Sequence, residues 1–237
     1  LAPYLGVRLT EGALAFRAPC TTLPVPLRIQ KADGTTVVHT EDDVVLKEMT
    51  VTSGGWIKHG PGTLTIENDG SIEQTLTATN GMVQKDGTPG WTEVRLGPDY
   101  PPPVTSWTGL SIAEGTVHLK GTGPNARFRL PHSVAVGMPT RDGTVQPRLV
   151  VEACEAWTGN NAYHFFLAPN TSSSAETYFA TSPELVVTNG AKMRVDTLCV
   201  GDKGSDLTGT PKMVVDGSTF LSGFKLQFAR DDRELYR

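Results

Sequence analysis

The chain has 237 residues, of which 19% are charged, with a formal net charge of −4 at pH 7, 25 glycines and 17 prolines. That length buries a sizeable core, as one large all-β domain or two smaller ones, without disulfide or metal staples. Acids and bases are interspersed, which excludes the electrostatic footprint of a nucleic-acid binder or of an anionic-membrane binder, and no apolar run reaches the length of a bilayer span.

The sequence begins at Leu1 rather than Met, which points to processing, a fragment or a leader. Gly, Pro, Thr and Ser punctuate the chain, and a sustained 3.6-residue apolar period is hard to find, so helix is a minor component. Asp33-Gly34, Asp69-Gly70, Asn80-Gly81, Asp86-Gly87, Asp142-Gly143, Asn189-Gly190 and Asp216-Gly217 are dipeptides that tolerate positive φ, and they favour hairpins over crossovers. Glu41-Asp42-Asp43 suits a helix N-terminus, whereas the β-branched content of the following Val44 to Met49 opposes one, so both states stay open there.

Trp56 to Ile66 is a strand cue broken by Gly60 and Gly62, and His59, its one group titrating near neutrality, reads as exposed. Gly62-Thr63-Leu64-Thr65-Ile66 recurs in form as Gly115-Thr116-Val117-His118-Leu119; two copies set no regular period and read as common strand-start chemistry. Gly97 to Pro103 is stiff and cannot continue a central strand, which places a boundary between a β region over 1–97 and a β-sandwich over 104–237, with one continuous domain as the alternative.

Arg127-Phe128-Arg129-Leu130, Lys192 to Asp196 and Phe224 to Phe228 alternate apolar with polar residues and predict half-buried antiparallel strands. Leu149 to Val151, Tyr163 to Leu167, Leu185 to Val187 and Met213 to Val215 are short apolar runs, as expected of strands covered on both faces. Arg230 to Tyr236 is the other helical candidate. The predicted fold is all-β, an antiparallel jelly-roll-like β-sandwich with a short irregular or solenoid-like N-terminal part.

No G-x-S-x-G elbow singles out a serine, and the histidines at 39, 59, 118, 132 and 164 show neither H-x-H nor H-E-x-x-H spacing, so no catalytic set, metal site or cofactor is expected. Cys20, Cys154 and Cys199 read as buried small hydrophobes; a Cys154–Cys199 disulfide is the open alternative. Glu152 with Glu155, or Asp196 with Asp202, are formal glycosidase pairs, although a separation of three puts Glu152 and Glu155 on opposite faces of one strand. Asp202 and Asp206 lack the spacing of an EF-hand. The contact site is expected among aromatics and amides: Trp157, Asn160, Asn161 and Tyr163 in one loop, with Asn170 and Tyr178 at the next, because sugar rings and protein partners dock on such faces. Asn170-Thr171-Ser172 also matches a glycosylation acceptor.

Residues 53–70, Ser-Gly-Gly-Trp-Ile-Lys-His-Gly-Pro-Gly-Thr-Leu-Thr-Ile-Glu-Asn-Asp-Gly, and 77–87, Thr-Ala-Thr-Asn-Gly-Met-Val-Gln-Lys-Asp-Gly, resemble the β-solenoid repeat of autotransporter-like surface proteins. The resemblance implies parallel coils over this stretch, with Leu64 and Ile66 inward and Thr63 and Thr65 outward. An array is needed to bury a continuous core, and one or two coils are visible, so a solenoid over the whole chain is disfavoured. Residues 218–226, Ser-Thr-Phe-Leu-Ser-Gly-Phe-Lys-Leu, resemble the closing strand of C1q and fibre-knob jelly-roll heads, which implies a trimeric sandwich with Phe224, Leu226 and Phe228 on the core side.

Together these readings predict a non-enzymatic structural or attachment protein of a virion or cell surface, such as a fibre, spike or capsid component. Its partners would be copies of itself, neighbouring structural proteins and a glycan or protein receptor, without nucleic acid or membrane insertion. A glycan-binding adhesin and a carbohydrate-active enzyme are the alternatives.

Overall fold

The computed structural model describes residues 6–76, 92–94, 104–106, 109–131, 133–137, 146–158, 164–167, 182–200 and 211–228. The chain opens with Val7–Leu9 (β1), Ala13–Phe16 (β2), Thr22–Leu23 (β3) and the long strand Leu27–Thr40 (β4). Val44–Leu46 (β5), Met49–His59 (β6), Thr63–Asn68 (β7) and Gln74–Thr75 (β8) follow, then the antiparallel pair Thr92–Val94 (β9) and Val104–Ser106 (β10). Leu110–Ile112 (β11), Thr116–Gly121 (β12), Arg127–Leu130 (β13) and Val134–Val136 (β14) come next. Arg148–Glu152 (β15), Glu155–Thr158 (β16), His164–Leu167 (β17), Glu184–Thr188 (β18), Lys192–Val200 (β19), Lys212–Asp216 (β20) and Thr219–Phe228 (β21) complete the set. No helix occurs among the described residues.

Every ladder of the two large sheets is parallel. One sheet has seven strands in the order β20-β18-β15-β12-β7-β5-β3, and the other has twelve. In the twelve-stranded sheet the long strands divide their pairing: β19 bonds β16 through Lys192 to Arg194 and β17 through Thr197 to Val200. The chain therefore passes from the seven-stranded sheet to one run of the larger sheet, then to a second run, and returns one coil further on. All three ladders share one apolar interior, a parallel β-solenoid.

The interior is built from columns of like side chains. Leu23, Leu46, Ile66, Leu119, Val151 and Val187 stack in register, and Val44, Leu64, Val117, Leu149 and Leu185 form the next inward column. Each fully buried side chain contributes roughly 1.5–3 kcal/mol. Leu64 and Ile66 are buried while Thr63 and Thr65 face outward. Thr63 pairs with Thr116 and Ile66 with Leu119, so the recurring Gly-Thr unit is one coil position met twice. A second buried cluster, Val37, Ile57, Ala113, Ala135, Phe166 and Cys199, lies apart from the interior, and β9 contacts β4.

The antiparallel jelly-roll sandwich is overturned by these ladders, and the solenoid runs through the chain instead of stopping near its start. Alternation puts every second side chain on one face whichever way the neighbouring strand runs, so it carries no information on strand direction. Three of the turn dipeptides act as corners: Asp69-Gly70 lies between β7 and β8, Asn189-Gly190 between β18 and β19, and Asp216-Gly217 between β20 and β21, with positive φ at Gly70, Asn189, Gly190 and Gly217. Asp33-Gly34 instead falls within the long strand β4, and the other three lie outside the described residues. Residues 44–46 are strand, not helix. β21 is a parallel strand on β19, not the closing strand of a knob, and Leu226 is 53% exposed because its inward column ends there. The Arg230 to Tyr236 segment lies outside the described residues.

Candidate functional site

Strands β8, β13, β16, β19 and β21 carry one outward column in register: Thr75, Arg129, Trp157, Arg194 and Leu221. The inward neighbours Phe128, Ala156 and Met193 are buried in the core, which fixes the parity of the strands and aims the column at solvent. Trp157 is half-buried, Arg194 exposed, and Leu221 56% exposed. These residues edge an open groove of about 410 Å³, lined by Arg127, Glu155, Trp157, Lys192, Arg194 and Leu221 among others.

Beside it runs the column Arg127, Glu155, Lys192, in which the carboxylate bridges both cations: Arg127 Nε lies 3.4 Å from Glu155 Oε2 and Lys192 Nζ 3.5 Å from Glu155 Oε1. The seven-stranded sheet repeats the pattern with Arg148 and Lys212 on Glu184, at 2.7 and 3.0 Å, and with Lys47 and Lys120 on Glu67. The Lys47 contact holds the Glu67 carboxyl below the usual range. In the Trp157 column two arginines flank the indole, and neither forms an ion pair among the described residues.

A second polar cluster occupies the corner after β6. Lys58 points into the solenoid with no exposed surface, and its Nζ donates to the carbonyls of Gly60, His59 and Glu114 at 2.6, 3.0 and 3.3 Å. Burial pulls its pKa down to about 7, against the opposing pull of the Glu114 and Asp43 carboxylates. His59, read from the sequence as exposed, is not, since its side chain is 14% exposed. Burial lowers its pKa; Glu114 opposes this, and His39 and Lys58 add to it. Glu114 accepts from the Gly60 N–H at 3.0 Å. Gly115 completes the corner at φ +66°, where a Cβ would stand 2.4 Å from the Gly60 oxygen.

Of the expected contact residues, Trp157 lies in the groove; Asn160, Asn161, Tyr163, Asn170 and Tyr178 lie outside the described residues, as do Asp202, Asp206, Trp91 and Trp107. Trp56 is fully buried in the core. Glu152 and Glu155 sit on successive strands separated by the left-handed Ala153, and each is already engaged, Glu152 with His118 Nε2 at 2.7 Å. Cys154 and Cys199 lie in separate apolar clusters and form no disulfide with each other, and burial pushes the Cys154 thiol up to about 12. Among the described residues no three metal-ligating side chains converge. Sequence reasoning missed Arg129 and Arg194. Their outward parity was legible in Arg127 to Leu130 and Lys192 to Asp196, but which strands neighbour each other was not. No family model, curated protein or solved structure matches the chain.

Proposed function

We infer that the chain is a non-enzymatic attachment protein of a virion or cell surface, whose solenoid wall binds an extended glycan. The observation that carries this reading is Trp157, an indole held half-exposed at the edge of a groove between two arginines. An indole face stacks on a sugar ring, and guanidinium forks donate to its oxygens. The support beneath is rigid, because each strand of the wall is bonded to the coils above and below and its reverse face is packed core, so little ordering accompanies binding. Binding rather than bond cleavage is favoured because Glu155, the carboxylate beside Trp157, is committed to Arg127 and Lys192. Self-association belongs to the same proposal: Val215 and Leu226 continue inward columns at the last described coil and are 44% and 53% exposed.

A glycan array probed with the full chain and with Trp157→Ala tests the reading, alongside molar mass by light scattering. The expected result is capture of a restricted set of saccharides, lost in the variant. Capture of none, or capture unaffected by Trp157→Ala, overturns it.

A further inference from the structure

We propose that the Arg129, Trp157, Arg194 column recognises a carboxylate-bearing saccharide, a uronate within a chain that runs along the solenoid axis. The inference rests on the glycan-binding reading above and narrows its ligand class.

Three features of the column carry it. First, Arg129 and Arg194 hold the same register on the strands either side of Trp157. Parallel strands lie about 4.8 Å apart, so the two arginine Cα atoms stand roughly 10 Å from each other, with the indole midway. A sugar ring on the indole thus has a guanidinium ahead of it and another behind it along the axis.

Second, the charge is unmatched. In the adjacent column Glu155 ion-pairs with Arg127 and Lys192, and on the next sheet Glu184 ion-pairs with Arg148 and Lys212. Among the described residues the ion pairs include neither Arg129 nor Arg194. The acids lining the groove are Glu73 and Glu155, against the three cations Arg127, Lys192 and Arg194, and Arg129 adds a fourth positive charge in register with Trp157 on the neighbouring strand. The groove is therefore cationic on a chain of net charge −4, and its complement is an anion.

Third, both cations are arginines. A guanidinium stays charged at all working pH values and presents a planar fork that matches a carboxylate bidentately, while an indole face supplies affinity for a ring. An anion without a ring leaves Trp157 unused, and a neutral sugar leaves both forks without a counter-charge.

The test measures binding of a panel of polyuronates, and of the same polymers after carboxyl reduction, to the full chain and to Arg129→Gln, Arg194→Gln, Arg194→Lys and Trp157→Ala. Thermal unfolding of each variant confirms that these surface changes leave the fold intact. The expected result is binding of at least one polyuronate, weakened tenfold or more by carboxyl reduction and by either glutamine substitution. Arg194→Lys, which keeps the charge without the fork, is expected to lose severalfold, and affinity to fall as salt is raised. Equal binding of the reduced polymer overturns the uronate assignment while leaving glycan attachment standing. So does a saccharide captured in the array by a Trp157-dependent contact when no polyuronate binds. If neither experiment finds a saccharide ligand, both readings fall.

Discussion

His39 Nδ1 lies 3.0 Å from His59 Nδ1 on the neighbouring coil, so one ring must donate its hydrogen and the other accept it. Two doubly protonated rings have no acceptor on the facing nitrogens. His59, whose pKa is lowered chiefly by burial, is the ring whose neutral form the fold prefers. A histidine with a depressed folded pKa contributes stability that is present above its unfolded value of about 6.5 and is lost as pH falls below it. Urea midpoints at pH 7.5 and 5 are expected to show a loss of stability on acidification, and His59→Gln is expected to reduce it. An unchanged acid response in the variant would assign the effect elsewhere.

Lys58 acts at the other end of the scale. Its pKa of about 7 in the fold lies below the ordinary 10.5. The unfolded chain therefore binds more protons between these values, and stability rises with pH across that window. The rise attributable to Lys58 is on the order of 4–5 kcal/mol by the conversion of pKa shifts to free energy. Denaturation at pH 6.5 and 10 compares slopes, and Lys58→Met is expected to lack this component.

Gly62 and Gly115 close the same corner. A Cβ on Gly62 would stand 2.2 Å from the Asp42 oxygen, and one on Gly115 2.4 Å from the Gly60 oxygen, in both cases against backbone that cannot swing away. Gly115→Ala is expected to cost more than about 3 kcal/mol, combining the overlap with a left-handed φ. Gly190, at φ +74° with open space around it, supplies the control: alanine there is expected to cost about 1 kcal/mol.

Asn68 is 1% exposed and ties a turn to the next coil. Its Nδ2 donates to the Ile72 and Arg127 carbonyls at 3.0 and 2.7 Å, and its Oδ1 accepts from the Gly70 N–H at 2.8 Å. Asn68→Ala leaves these backbone groups without that partner and is expected to lower unfolding stability by about 2–4 kcal/mol.

Thr36 gives the opposite sign. Its buried hydroxyl finds no hydrogen-bond partner among the described residues, and it stacks beside Trp56 in the core. Thr36→Val keeps the shape, removes the unsatisfied oxygen and is expected to raise stability by about 1 kcal/mol in the same denaturation assay.

Much of the local structure was legible in the residues themselves. Alternation in Arg127 to Leu130 and Lys192 to Asp196 located β13 and β19 and named their inward sides, and Asp69-Gly70, Asn189-Gly190 and Asp216-Gly217 located turns. The Gly-Thr unit at 62–66 and 115–119 was visible as a repeat. Its meaning was not, because residues 67–114 separate the two copies and hide the coil period.

The sequence by itself determined that the chain is built of strands, where many of them lie and which side chains they bury, because these follow from side-chain parity and from the φ angles that turn residues tolerate. Only the tertiary structure decided that the strands run parallel, that β13, β16 and β19 are neighbours, and that Arg129, Trp157 and Arg194 form one column. It also decided that Lys58 turns inward to three carbonyls. Those outcomes depend on which backbone groups a strand bonds across tens of residues, and no local pattern encodes that choice.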